Sequence, residues 1–248
     1  LSGIDAVTRE EDAGFILQSF RDRGESYSFT ELRIFEHMSS NTMEPICIPT
    51  PDSVVIDSIA GVRRWFFKER IDSVSITFQL QDDQEPSYTL QGIQMLLEES
   101  GLVYHALGVN GASTKSFLRS ENFIEQGRYI SPDLVIFGLG INDAYKPDSE
   151  WHPQEYKERY DTLVDWFRTI NPDCEFIFMT NNDSYYKRKV PNEHALDVVE
   201  VMKQLSKDHN TGFWDLFGVM GGLNSVAIWE EHGLAKRDKI HFSRTGYR

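Results

Sequence analysis

The sequence predicts a mixed α/β protein, with a β-rich, sandwich-like region over residues 1–99 followed by an α/β layer on a parallel sheet over residues 100–248. Three patterns carry this. In the first part apolar residues alternate, most clearly at Val74, Ile76, Phe78 and Leu80, which is the period of a strand with one buried face. From about Gly101 they gather into short unbroken runs, as in strands covered on both faces of a parallel sheet. Between those runs lie apolar stripes at helical spacing.

Taken in order, strands are expected around 15–17, 27–35, 54–56, 64–67, 74–80 and 88–90, with the polar stretch 81–86 as a hairpin loop between the last two. Parallel strands are expected at 103–107, 134–139, 176–179 and 213–217. Tyr156, Tyr160, Leu163, Val164 and Phe167 make one helical stripe, and Ala195, Val198, Val199, Met202 and Leu205 a second. Pro153 and Pro191 stand near their starts. This βαβ rhythm implies right-handed crossovers but no function.

The 248 residues carry a formal net charge of -14 and are 40% hydrophobic. That charge repels a phosphate backbone, and the one compact basic run, Lys187 to Lys189, is short, so no nucleic acid is expected as a partner. No stretch reaches the roughly 20 apolar residues of a membrane span. Cys47 and Cys174 lie far apart and imply no disulfide framework. The chain begins at Leu1 without a leader pattern and stops after Tyr247 and Arg248, so a processed or trimmed piece, incomplete at both ends, is expected.

Each expected parallel strand is followed by a loop rich in Gly, Asn or Asp. These loops hold Gly108, Asn110 and Gly111; Gly140, Asn142 and Asp143; Asn181, Asn182 and Asp183; and Gly218, Gly221 and Gly222. Turns favour such residues anyway, but the carboxyl ends of parallel strands are also where ligands bind. Near the C-terminus Asp238 and His241 stand three apart. At that spacing a carboxylate reaches the imidazole, fixes its tautomer and leaves the other ring nitrogen free to act as a base. His37, His105, His152, His194, His209 and His232 show no metal-binding spacing, and no phosphate-binding glycine motif occurs, so no metal or nucleotide cofactor is expected.

In order and spacing these motifs resemble the SGNH/GDSL hydrolases, esterases and acyl-ester hydrolases with a flavodoxin-like three-layer core. The stretch from Gly108 to Gly111 looks like the family's second block, whose glycine offers a backbone N–H, and Gly111 is the better placed of the two. Gly140, Asn142 and Asp143 match the third block, G-x-N-D, whose asparagine is a second oxyanion donor. Asp238 and His241 match the fifth, D-x-x-H. The run from Gly221 and Gly222 through Trp229, Gly233 and Leu234 to Phe242 and Tyr247 is similar to the C-terminal pattern of Bacteroidetes members. The resemblance covers roughly residues 101–248.

The resemblance implies a serine esterase that removes acyl groups, acetyl above all, from a small ester or an acylated glycan, in the periplasm or outside the cell. Ester hydrolysis passes through a tetrahedral oxyanion, and each donor already aimed at it is worth about 100- to 1000-fold in rate. Gly111 and Asn142 would be those donors, His241 the base and Asp238 its orienting carboxylate. Asn182, Asp183 and Trp229 are the expected substrate contacts. The nucleophile is missing, because the first block, G-D-S, occurs nowhere in the chain. Asp57-Ser58 is the nearest look-alike, with Ile56 where glycine is required. The expectation is therefore a serine encoded upstream of Leu1, with Ser58 as the in-chain candidate and residues 1–99 as an insertion between the first two blocks. Two other readings stay open. One is a glycan-binding relative without turnover, and the other a metal-dependent phosphoesterase using Asn142, Asp143, Asp183, Asp238 and His241 as ligands.

Overall fold

The computed structural model describes residues 5–19, 21–22 and 25–248. They form two compact units, one up to Ala106 and the other Leu107–Arg248.

The first unit is a β-sandwich. Its strands are β1 (Ala6–Thr8), β2 (Gly14–Gln18), β3 (Phe29–Glu36), β4 (Met43–Ile48), β5 (Ser53–Asp57), β6 (Val62–Ile71), β7 (Ser73–Leu80) and β8 (Tyr88–Leu96). One sheet runs β1-β8-β3-β6-β5 and the other β2-β7-β4, with antiparallel pairing throughout. The alternation read from β7 is real: Val74, Ile76 and Phe78 are buried and pack with Leu32, Ile34, Trp65 and Phe67 of the other sheet. Each such side chain contributes about 1.5–3 kcal/mol by leaving water. Stretch 81–86 is not a hairpin loop. β7 already pairs with β2 and β4 on its two edges, so the chain leaving it crosses to the other sheet, where β8 pairs with β3 and β1. Strand β4 escaped the sequence pattern because Pro45 lies inside it, which is tolerated here because β4 is an edge strand.

The second unit is an α/β layer. Strands β9 (Leu134–Phe137), β10 (Glu175–Met179) and β11 (Gly212–Trp214) form a parallel sheet in the order β9-β10-β11. Its helices are α1 (Thr114–Phe117), α2 (Phe123–Ile130), α3 (Ile141–Ala144), α4 (Pro153–Ile170), α5 (His194–His209), α6 (Leu216–Val219) and α7 (Ser225–Glu231). Both expected stripes sit on α4 and α5. They pack on Phe137, Phe176 and Phe178, which point from one face of the sheet.

Three expectations fail here. The run 103–107 is not a strand, and Leu102, Val103 and Tyr104 are exposed, because that run does not pair with the edge of β9 left free by β10. The unbroken apolar runs do not mean burial on both faces either. Leu134, Ile136 and Trp214, on the face away from the core, are each at least half exposed. The run 213–217 also ends early, since Asp215 caps α6 by accepting the Gly218 N–H at 3.0 Å.

Candidate active site

The loops after β9 and β10, the turn before α1 and the C-terminal turn all belong to the second unit. Gly111 occupies the third position of a turn closed by the Ala112 N–H on the Val109 carbonyl at 3.0 Å, with φ +78. That left-handed value is what a type II turn asks of its third residue and what glycine meets without strain. A Cβ here would meet no atom within 4 Å, so the approach to the turn is open.

The Asn142 amide donates to the Ala112 carbonyl at 2.8 Å, which brings the second and third blocks together. Beside it, the buried Asp143 carboxylate accepts from the Thr114 N–H at 3.0 Å and the Thr114 hydroxyl at 2.6 Å. Arg159 of α4 lies 3.7 Å from Asp143 and donates from Nε to the Thr114 hydroxyl at 2.8 Å. Burial pushes the Asp143 carboxyl above its usual range, against the pull of the Thr114 donors and Arg159.

The strand exit is held from below. Tyr156 and Tyr160 donate to the Leu139 carbonyl at 2.6 and 2.8 Å, and the Tyr160 oxygen accepts the Leu139 N–H at 3.1 Å. Burial raises both phenols far above their ordinary range, so they stay protonated and able to donate. These two residues read only as an apolar stripe in the sequence. The available signal was tyrosine, rather than phenylalanine, at two stripe positions four apart. Gly140 follows at φ +155, where a Cβ would stand 2.2 Å from Asn181 Oδ1 and 2.6 Å from the Tyr156 oxygen. The glycine of G-x-N-D is thus required by close packing as well as by backbone angle.

The C-terminal turn carries the Asp–His pair. Asp238 Oδ1 accepts the N–H groups of Ile240 and His241, both at 2.9 Å, and Oδ2 meets His241 Nδ1 at 3.0 Å. The imidazole side chain is 52% exposed, which leaves Nε2 available as a base. Burial would raise the Asp238 carboxyl, but the N–H and ring of His241 and the N–H of Ile240 outweigh it and hold the value down at about 2. The Lys236 N–H on the His241 carbonyl closes the turn at 2.8 Å, and Trp229 packs on Phe242 with ring centroids 5.4 Å apart.

The three expected substrate contacts take different places. Asp183 is buried and accepts the Val226 N–H at 3.1 Å, so it caps α7. Trp229 gives its indole N–H to the Met220 carbonyl at 3.1 Å and supports Phe242. Asn182 lines a small cavity with Gly140, Ile141, Asn181, Ala195 and Val198, while its amide nitrogen donates to the Asp183 and Ile240 carbonyls. The proposed metal-ligand set does not assemble, since Asp143 is tied to Thr114 and Asp183 to α7. Among the described residues no three His, Cys, Asp or Glu side chains group as a metal ion would require. Ser58, the in-chain candidate nucleophile, lies in the turn between β5 and β6 of the first unit, an antiparallel hairpin and not a parallel strand end.

A parallel sheet with an asparagine amide on a strand-end loop, a glycine turn bonded to it and an Asp–His pair in a C-terminal turn is the layout of an SGNH hydrolase. The profile of the GDSL-like Lipase/Acylhydrolase family matches residues 75–248, reaching further back than the motifs do, and the chain belongs to that family. Its structure is similar to that of a peptidoglycan O-acetylesterase, with TM-score 0.79 at 18% identity, covering 100% of this chain and 67% of that one. A lipase/acylhydrolase from Enterococcus faecalis gives TM-score 0.42 at 21% identity, covering 55% of this chain and 65% of that one. An acetyl xylan esterase gives TM-score 0.42 at 19% identity, covering 57% and 73%. The chain thus spans about two thirds of the length of the first of these. No curated protein matches it. No helix among the described residues is long and apolar enough to cross a membrane.

Proposed function

We propose that this chain supplies the base and the oxyanion donors of a serine esterase that removes small acyl groups, acetyl in particular, from an acylated carbohydrate outside the cytoplasm. The observation that carries this is the Asp238 Oδ2 to His241 Nδ1 contact at 3.0 Å with the imidazole side chain half exposed. In the reaction His241 Nε2 takes the proton of the nucleophilic hydroxyl as its oxygen attacks the ester carbonyl, and later returns it to the leaving alcohol. The Gly111 N–H and the Asn142 amide stabilise the oxyanion, the latter turning from the Ala112 carbonyl it now holds.

The nucleophile in this reading comes from outside residues 1–248. Two observations favour it over Ser58: the hairpin position of Ser58, and the uncovered apolar sheet face of Leu134, Ile136 and Trp214, which a further segment would bury. A glycan ester is the class on which the similar peptidoglycan O-acetylesterase is named to act.

The test is hydrolysis of p-nitrophenyl acetate and of an O-acetylated glycan by the chain with and without the residues encoded before Leu1. Labelling by a fluorophosphonate only in the longer form, at a Gly-Asp-Ser, is the expected result. Equal labelling of the two forms that is lost in Ser58→Ala would place the nucleophile in the hairpin. Glycan binding without any turnover would favour a non-catalytic relative.

A further inference from the structure

The bonds within the Asp238 to His241 turn set its shape, but they do not set where it stands relative to the strand ends. We propose that Asn182 does this, as a positioning residue for His241. This inference rests on the esterase reading above. Its amide nitrogen donates to the Ile240 carbonyl at 3.0 Å, one residue before His241, and to its own neighbour's carbonyl at Asp183 at 2.8 Å. A second tie lies alongside, from the Tyr185 N–H to the Lys239 carbonyl at 2.9 Å. Two successive carbonyls of the turn are therefore held by one loop, the one that leaves β10. They are held where the backbone most needs it, because Lys239 is left-handed at φ +55, a conformation that a lysine does not keep by itself.

The loop is a firm support. Asp183, next to Asn182, is 1% exposed and caps α7 at Val226, and α7 in turn leads to the Ala235 bridge with Phe242 on the far side of His241. Asn182 also lines the cavity formed by Gly140 and Ile141, the residues that precede Asn142. Asn182 thus lies between the Gly140–Ile141 stretch and the turn that carries His241. Loosening it displaces His241 relative to the reacting bond without touching substrate, and a misplacement on the order of 1 Å can cost about 100-fold in rate.

Asn182→Ala and the isosteric Asn182→Asp test this, the second keeping the packing should the alanine variant not fold. Both remove the donor to Ile240. Two measurements are made. Amide hydrogen exchange at Ile240 and His241 is read by NMR on the 248-residue chain, and steady-state kinetics on p-nitrophenyl acetate are read on the form that turns over. Exchange at least about tenfold faster in both variants is expected, with kcat lowered about 10- to 100-fold and KM changed less than about twofold. Unchanged exchange in both variants overturns the proposal, as does a raised KM at constant kcat, which would make Asn182 a substrate contact. If the wild type hydrolyses no ester, the esterase reading falls, and the exchange measurement still decides whether Asn182 holds the turn.

Discussion

Asp57 and Asp238 each accept N–H groups from the residues two and three further on, Ile59 and Ala60 at 3.0 Å in one case, Ile240 and His241 at 2.9 Å in the other. The backbone chemistry of the two turns is the same. Their surroundings differ. The residue three after Asp57 is an alanine, and the turn joins neighbouring antiparallel strands β5 and β6. The residue three after Asp238 is a histidine whose ring meets the second carboxylate oxygen, and loops from a parallel sheet hold the turn in place. An aspartate turn becomes a candidate base only when a histidine completes it and a strand-end loop aims it. The same contrast separates Ser58, which follows Asp57, from the serine this chemistry requires.

The largest effect should fall on His241. His241→Ala is expected to lower kcat on short acyl esters by at least about a thousandfold with the fold intact, whereas Ser58→Ala should leave kcat as it is. Loss of turnover in Ser58→Ala would erase the distinction between the two turns. Next comes Asn142→Ala, which removes one of the two proposed oxyanion donors and should lower kcat about 100- to 1000-fold, read in the same assay.

Gly140→Ala forces a Cβ to within 2.2 Å of Asn181 Oδ1 at a left-handed backbone angle. Overpacking of this kind costs about 1–3 kcal/mol, measurable by urea unfolding, and activity should fall with it as the Asn142 loop moves. A fully stable, fully active Gly140→Ala would show that the loop is not as tightly set as its packing indicates.

The acid dependence distinguishes the Asp238 turn further. The folded-state value of about 2 lies below the ordinary 3.8, so the stabilisation from this carboxylate is present above about pH 4 and is lost as pH falls through about 2. The melting temperatures of the wild type and Asp238→Asn should therefore differ by a constant amount above pH 4 and converge toward pH 2. A gap that persists at pH 2 would mean that the pair is held by something other than charge. The smallest effect is expected from Asp57→Ala, which loses the two hairpin N–H bonds at a cost of about 0.5–1 kcal/mol and changes no kinetic constant.

Much of this was legible along the chain. Strands β2, β3, β5, β6 and β7 and helices α4 and α5 follow from periodicities that a few residues of sequence display, because a strand alternates and a helix repeats whatever it packs against. The D-x-x-H pair was equally legible, since Asp238 and His241 meet through bonds that span three residues. What tertiary structure alone decided concerns partners distant in sequence. It left 103–107 unpaired, sent 81–86 across the sandwich and exposed Leu134 and Ile136 on the second face of the sheet, because a strand's partners are chosen by other strands and not by its own residues. It turned Tyr156 and Tyr160 from stripe residues into the props of Leu139 and made Asp183 a helix cap. It also tied Asn182 to Ile240, 58 residues away. A sequence shows which groups a chain owns; only folding shows which of them are left with a free hydrogen-bonding atom at the site.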